Sequence, residues 1–199
     1  MNSIEILVKP DWVSWEEIHD VLWKSHAQNR EDGIAMGHQN LTGEGIRDLL
    51  GDYGTMFVAI IDGRVVGTAA VIIKETNFWF GKDNYAYCCF ASVLPEFEGQ
   101  GIYRRFVIER ENYALRKGID KIYFNTHPRN KKVIHIAEKS GYKKVRYTTN
   151  NCFSYVFLVK WLNGCPYSDI KCRLEYIKCK LFAIIKNWVK SIIGKNVAL

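Results

Sequence analysis

Residues 93–105, VLPEFEGQGIYRR, have the composition of an anion-binding turn. An apolar run meets Pro95, and Gly99 and Gly101 then precede a helical pattern. Glycines allow backbone conformations that turn several N–H groups outward, and the dipole of the following helix adds partial positive charge. Phosphate is the usual ligand of such a turn, although a strand–glycine–helix turn can also be purely structural.

The elements that would position this turn form an α/β pattern. Ser14, with Glu17 three residues later, predicts a helix start, Thr42 predicts another, and Asp62–Gly63 predicts a tight hairpin. The predicted strands are 4–9, 55–62, 64–76, 84–95, 119–128, 142–149 and 152–161, and the predicted helices are 15–29, 43–51, 101–118 and 130–141. The strand–helix–strand connection through Gly101 implies a parallel pair in a mixed sheet, with a ligand cleft at the carboxyl end of the central 84–95 strand.

Two motifs together resemble the GCN5-related N-acetyltransferase (GNAT) family. The first is Val-x-Pro-Glu followed by a Gly-x-Gly turn, and the second, some thirty residues later, is an Asn-led helix that ends in Gly-Tyr. The matching residues are Val93, Pro95, Glu96, Gly99, Gly101, Asn130, Gly141 and Tyr142. The resemblance covers about residues 1–160 and implies a GNAT-like acyl-CoA N-acyltransferase fold.

The resemblance implies acetyl-CoA, or another acyl-CoA, as the donor substrate. The backbone of Ala91, Ser92 and Val93 would pair with the pantetheine arm as an added strand. The pyrophosphate would bind backbone N–H groups of Gly99, Gln100, Gly101, Ile102, Tyr103 and Arg104. Asn130 would contact the arm near the thioester, or would serve only as a helix N-cap.

Some positions depart from the family pattern. Glu98 stands where the signature has Gln or Arg, and Tyr103 stands where it has Gly or Ala. Both would be tolerated if Glu98 faces solvent and the Tyr103 ring points away from the turn. Two catalytic positions also differ, because Ala137 occupies the place of a frequent tyrosine acid and Asn125 that of a glutamate base.

His127 is the first candidate for a replacement base. It lies two residues after Asn125, so the two share one face of a strand. A base with a pKa near neutrality accelerates proton removal from the attacking amine, although a surface histidine before Pro128 is the alternative interpretation. His135 is a weaker candidate base, and Tyr123 and Tyr142 are candidate acids.

The segment 24–42 occupies the place of the family's acceptor-facing loop. His26, Asn29, Arg30 and His38 could hydrogen-bond a polar acceptor there, or could be solvated loop residues. The segment has no run of carboxylates that would suit a polyamine.

Composition limits the other classes of function. The chain has 199 residues, 48% of them apolar, and a net charge of +7, but seven of its 28 Lys/Arg and only two of its 21 Asp/Glu lie in residues 163–199. The first 162 residues are therefore nearly balanced, which argues against nucleic-acid binding. The six cysteines form no C-x-x-C pair, so we expect reduced thiols, no metal site and a cytoplasmic protein.

The last 37 residues predict a basic amphipathic helix after a 1–162 acetyltransferase domain. Apolar residues recur at intervals of three and four, at Ile170, Leu174, Ile177, Leu181, Ile184, Trp188 and Ile192. Residues 168–193 could lie on an anionic membrane, pack on their own domain or form a homodimer. Cys165, Cys172 and Cys179, spaced by seven, could extend a buried face.

Three functions therefore remain open from the sequence. The first is acetyl transfer from acetyl-CoA to a primary amine of a small molecule, such as an amino sugar or another metabolite. The second is a CoA-binding sensor or scaffold without turnover, which Ala137 and Asn125 suggest. The third is a peptide or protein N-acetyltransferase.

Overall fold

A computed structural model describes residues 3–34, 40–149 and 153–196, with side chains up to residue 190. The strands are β1 Glu5–Val8, β2 Gly54–Ile61, β3 Arg64–Phe78, β4 Gly81–Val93, β5 Lys121–Thr126, β6 Lys143–Thr149 and β7 Ser154–Trp161. The helices are α1 Trp15–Ser25, α2 Ala27–Glu31, α3 Gly43–Leu50, α4 Ile102–Arg116, α5 Lys131–Lys139 and α6 Asp169–Asn196. Short 3₁₀ turns lie at Gly51–Tyr53 and Pro95–Phe97.

The strands form a seven-stranded mixed sheet in the order β1-β2-β3-β4-β5-β7-β6. The predicted fold class, a mixed α/β sheet followed by a C-terminal helix, is confirmed. Strand β4 is the fourth of seven, as its run of apolar residues predicts. The chain divides into two compact units. Unit 1 comprises residues 1–75 and 84–122, and unit 2 comprises residues 76–83 and 123–199.

In unit 1, the β2–β3 hairpin turns where the sequence predicts it. Ile61 pairs with Arg64, so the loop is Asp62–Gly63 alone, and both loop residues have positive φ angles, 50° and 75°. A two-residue loop with both φ angles positive matches the twist of the two strands. This pairing sets the register that carries β3 towards the candidate site.

Helices α1 and α3 complete the core of unit 1. The Ser14 hydroxyl accepts a hydrogen bond from the Glu17 N–H, and the Thr42 hydroxyl accepts one from the Gly45 N–H, so both predicted caps are present. Buried Ile18 and Leu22 of α1 pack with Ile46 of α3. The predicted 15–29 helix is interrupted: α1 ends before His26, and α2 is a separate short helix.

In unit 2, the last two predicted strands form the antiparallel β6–β7 pair, with Lys143 opposite Val159 and Thr149 opposite Ser154. Aromatic side chains fill the space beside it. The Phe78 ring meets the rings of Tyr123 and Phe157 edge-on, and the ring centroids of Phe80 and Trp161 lie 4.9 Å apart.

Helix α6 packs against β6 within unit 2. The Lys143 ammonium lies 2.7 Å from the Asp169 carboxylate, the Tyr147 and Tyr176 rings meet edge-on, and the Asn187 amide donates to the Thr149 hydroxyl at 3.2 Å. The interpretation that the tail packs on its own domain is therefore correct for one face of the helix. The domain boundary at residue 162 and the cytoplasmic location stay predictions.

Among the described residues, none of the helices has the combination of length and apolar character that crossing a bilayer requires.

Candidate functional site

The glycine turn at the end of β4 leads directly into α4 in unit 1. Gly99 and Gly101 have φ angles of 79° and 78°, a conformation that strains any residue with a Cβ. A Cβ at either position would meet no heavy atom within 4 Å, so the backbone conformation, not lack of space, requires glycine. The space into which a Cβ at Gly99 or Gly101 would point is therefore open.

No side chain caps the N-terminus of α4. The first N–H groups of an α-helix have no partner within the helix, so here the backbone of Gly101, Ile102, Tyr103 and Arg104 presents donors that a ligand can use. The Ile102 side chain is 1% exposed and fixes the start of the helix to the core of unit 1, whereas Gln100 and Arg104 are exposed. This arrangement suits a multiply charged anion such as a pyrophosphate.

The two departures at this turn have different surroundings. Glu98 is exposed, which meets the condition under which it would be tolerated. The centre of the Tyr103 ring lies 5.9 Å from the guanidinium of Arg110, whose Nε donates to the Phe106 carbonyl oxygen. Tolerance of Tyr103 at the turn stays a prediction.

An ion pair and a close packing contact hold the turn to β3. The Arg64 guanidinium lies 2.9 Å from the Glu96 carboxylate and 5.5 Å from the centre of the Phe97 ring. The pKa of Glu96 lies below its usual value, first because its own backbone N–H donates to the carboxylate and further because of Arg64. At Gly67 a Cβ would lie 3.0 Å from the Ser92 carbonyl oxygen, so β3 and β4 approach closely there.

The candidate pantetheine strand, residues 91–93, follows an unusual residue. Phe90 has a φ angle of 50°, which is rare for a bulky side chain within a strand. The Thr68 hydroxyl donates to the Phe90 carbonyl oxygen at 2.9 Å and lies 3.3 Å from the Ser92 hydroxyl. Thr68 therefore holds β4 in its distorted course immediately before Ala91, while Ser92 is buried and Val93 is half-buried.

Unit 2 contains the loop between β5 and α5. Asn130 caps α5: its side-chain oxygen accepts from the Val133 N–H at 3.4 Å, and its amide donates to the Thr126 hydroxyl at 3.2 Å. The capping role is thus present in the structure. Contact with a donor substrate stays a prediction.

His127 precedes that cap. Its Nδ1 accepts a hydrogen bond from the Arg129 N–H at 3.2 Å, so the neutral ring carries its proton on Nε2 and its lone pair on Nδ1. Partial burial lowers the pKa of His127, and the nearby charge of Arg129 lowers this pKa further. The imidazole is consequently neutral near pH 7, as a base must be.

The two candidate acids are buried in unit 2. The Tyr123 hydroxyl lies 3.1 Å from the Thr76 hydroxyl, and the Tyr142 ring meets the Phe124 ring edge-on. Ala137 is also buried, on the inner side of α5. Roles for Tyr123 and Tyr142 as acids stay predictions.

The predicted acceptor loop is partly described. His26 is buried, its Nδ1 lies 2.8 Å from the Leu22 carbonyl oxygen, and burial lowers its pKa. The Arg30 guanidinium stacks on the Trp23 ring at 3.8 Å. Both side chains therefore have structural partners, and His38 lies outside the described residues.

Sequence reasoning missed Phe90 and Thr68. No residue type in CCFASV signals a positive φ, because phenylalanine rarely adopts one. Thr68 lies among buried strand residues and is conspicuous only when the strands are paired.

Comparison with known proteins decides the family. The model of the acetyltransferase (GNAT) family matches residues 14–142. The chain belongs to the GNAT acetyltransferase family. No curated protein sequence matches the chain.

Solved structures show the same fold. The PaiA N-acetyltransferase from Thermoplasma acidophilum, in complex with coenzyme A, is 18% identical with a TM-score of 0.57; the match covers 80% of this chain and 99% of that one. A GNAT family acetyltransferase from Elizabethkingia anophelis with acetyl-CoA bound is 14% identical with a TM-score of 0.58; the match covers 80% of this chain and 98% of that one. The ribosomal-protein-S18-alanine N-acetyltransferase from Escherichia coli is 12% identical with a TM-score of 0.62; the match covers 83% of this chain and 98% of that one.

Proposed function

We propose that the protein transfers an acetyl group from acetyl-CoA to a primary amine of a small molecule. The observation that carries the proposal is the turn at residues 99–104, where two glycines with positive φ angles precede a helix that no side chain caps. Membership of the GNAT family supports acetyl-CoA as the donor, and two structural neighbours contain CoA or acetyl-CoA.

The donor would lie along residues of both motifs. Backbone N–H groups of Gly99 to Arg104 hold the pyrophosphate, and the backbone of residues 91–93 pairs with the pantetheine arm. Asn130 contacts the arm through its amide, which the cap and Thr126 already hold in one orientation.

His127 is the proposed base. As the amine nitrogen bonds to the acetyl carbon, the carbon–sulfur bond breaks and CoA leaves as its thiolate with the electron pair of that bond. The amine loses a proton, and Nδ1 of His127 receives it. This transfer replaces the hydrogen bond from the Arg129 N–H. Removal of such a base costs about 10²–10⁴-fold in rate.

A small amine is the preferred acceptor because the predicted acceptor segment has two carboxylates, Glu31 and Asp32, and not the extended acidic row that a polycation or basic peptide requires. A protein acceptor is the second candidate, since the name of one structural neighbour of the same fold gives a ribosomal protein as its acceptor. A CoA sensor is the third, because Ala137 and Asn125 replace two catalytic side chains of many family members.

One assay separates these candidates. Thiol release from acetyl-CoA is measured with full-length protein and three acceptor sets: amino sugars and other small amines, peptides with free N-termini, and buffer alone. Release that depends on a small amine supports the proposal. Release with peptides only favours the protein acceptor, and acetyl-CoA binding without release in any set favours the sensor.

A further inference from the structure

Helix α6 has two faces of different character. The face that packs on β6 is formed by small and polar residues: Cys172 and Ala183 are 2% and 8% exposed, and Tyr176 and Asn187 contact Tyr147 and Thr149. Small side chains let the helix approach the strand closely. Of the three cysteines spaced by seven, Cys172 is buried in this face, whereas Cys165 and Cys179 are only half-buried.

Most of the larger apolar side chains of α6 point the other way, although exposed Phe182 lies to one side of them. At 100° per residue they lie on the side of the helix opposite Cys172 and Ala183. We name them the outer stripe: Ile170, Leu174, Ile177, Leu181, Ile184, Ile185 and Trp188. Their exposed fractions run from 49% for Ile177 to 72% for Ile170. From residue 170 to residue 188 the outer stripe is about 27 Å long. It is therefore a continuous apolar patch, whereas exposed apolar side chains on an ordinary protein surface are scattered singly.

Positive charge borders the outer stripe on both sides. Arg173 and Lys180 lie along one border, and Lys171 and Lys178 lie along the other. The two carboxylates of the helix lie beyond these borders: Asp169 pairs with Lys143, and Glu175 is 3.8 Å from Lys178. Within the described part of α6, the outer stripe itself therefore carries no acidic side chain.

We propose that the outer stripe binds the surface of an anionic lipid bilayer, with α6 lying in the plane of the interface. Apolar side chains enter the acyl boundary, Trp188 occupies the interfacial level, and the bordering Lys and Arg contact lipid phosphates. A second copy of the chain fits less well, because face-to-face pairing of two outer stripes brings their basic borders together, and neither outer stripe carries a carboxylate in its described part to offset them. The proposal is independent of the proposed function.

The test is sedimentation of full-length protein with vesicles. Vesicles of phosphatidylcholine with phosphatidylserine should pellet the protein at low salt. Pure phosphatidylcholine vesicles should pellet much less, and 0.5 M salt should weaken binding to the mixed vesicles, because basic residues attract anionic headgroups through a screened field.

Two variants with matched controls assign the effect to the outer stripe. Leu181→Glu should abolish pelleting, whereas Leu115→Glu, which changes a leucine of similar exposure on α4 (48% against 55%), should not. The double variant Arg173→Glu/Lys180→Glu should weaken binding by at least about 20-fold, whereas Arg116→Glu/Lys117→Glu, with the same change in net charge, should leave it nearly unchanged. Circular dichroism melts confirm that all four variants fold.

Two results would overturn the proposal. One is wild-type protein that stays in the supernatant with phosphatidylserine vesicles at low salt. The other is a dimer, measured by light scattering, that Leu181→Glu converts to a monomer while vesicle binding is absent or unchanged; the outer stripe would then be a protein interface.

Discussion

The N-termini of α4 and α5 follow the same kind of strand-to-helix connection but are completed differently. At α5, Asn130 caps the first turn with its own side chain. At α4 the N-cap residue is Gly101, with a φ of 78°. Glycine has no side chain that could accept a hydrogen bond from the first turn, so this turn is uncapped. Ser14 and Thr42 cap α1 and α3, and the Ser168 hydroxyl accepts from the Lys171 N–H at the start of α6.

The difference indicates which helix start is structural and which can bind a ligand. A capped N-terminus has already satisfied some of its donors, so Asn130 stabilises α5 whether or not a donor substrate is bound. An uncapped N-terminus leaves its donors to water or to a ligand. We therefore propose the start of α4 as the anion-binding site.

The largest expected effect is at Gly101. Gly101→Glu introduces a carboxylate and a Cβ where phosphates would bind, and we expect the affinity for acetyl-CoA to fall by 100-fold or more, since a charge of the same sign opposes the ligand. In wild-type protein, acetyl-CoA at about 100 times its Kd should add about 2.7 kcal/mol to the free energy of unfolding. Differential scanning fluorimetry measures both.

Gly118→Glu is the matched control for Gly101→Glu. Gly118, at the other end of α4, has a φ of 72° and no heavy atom within 4 Å of its hypothetical Cβ, so both variants suffer similar backbone strain. The control should melt lower but keep the stabilisation by acetyl-CoA. Equal loss in both variants would mean that strain, not the site, removes binding.

A loss of about 100-fold in turnover is expected for His127→Ala if Nδ1 accepts the amine proton. Since burial lowers the pKa of His127, wild-type activity should persist below pH 6.5 and fall only when the ring becomes protonated. The variant should regain activity at high pH, where amines lose protons without help. The measurement is kcat against pH.

His135→Ala, an exposed histidine on α5, is the control and should retain wild-type turnover. Turnover of His127→Ala within about twofold of wild type would remove His127 from the mechanism.

Asn130→Ala separates capping from ligand contact. Loss of the cap should lower the free energy of unfolding by about 1 kcal/mol. Thr42→Ala removes an equivalent cap on α3 and should cost a similar amount. If Asn130 also contacts the donor, only Asn130→Ala raises KM for acetyl-CoA. Equal KM values in the two variants would leave Asn130 a purely structural residue.

The smallest expected effect concerns the ion pair that holds the α4 turn. Arg64→Ala should weaken acetyl-CoA binding by about two- to fivefold, the size expected when an exposed ion pair is lost. Arg47→Ala breaks exposed ion pairs on α3 and should leave the affinity unchanged. Titration calorimetry measures the acetyl-CoA affinity of both variants. An unchanged affinity in Arg64→Ala would mean that Arg64 does not position the turn.

The sequence predicted the parts of the fold that depend on local backbone chemistry. Gly99 and Gly101 indicated the turn, Asp62–Gly63 indicated the hairpin, and Ser14 and Thr42 indicated helix starts, because each residue type satisfies a specific φ angle or a free N–H. The predicted break between strand and helix at Pro95 follows from the same local constraints.

Features that depend on tertiary pairing could not be predicted. The positive φ of Phe90 exists because Thr68 and the paired strands hold it, and no local signal favours it. In α6, the periodicity showed which residues share a face. It could not show that the face with Cys172 and Ala183 packs on β6, because that choice depends on the shape of the strand.

The most direct test of the central claim is a nuclear magnetic resonance titration of ¹⁵N-labelled protein with coenzyme A. We expect the backbone amide signals of the capped first turns of α1 and α3 to stay unchanged. The largest shifts should occur at Gly99, Gln100, Gly101, Ile102, Tyr103 and Arg104. Saturable binding that leaves the amide signals of these six residues in place would contradict it.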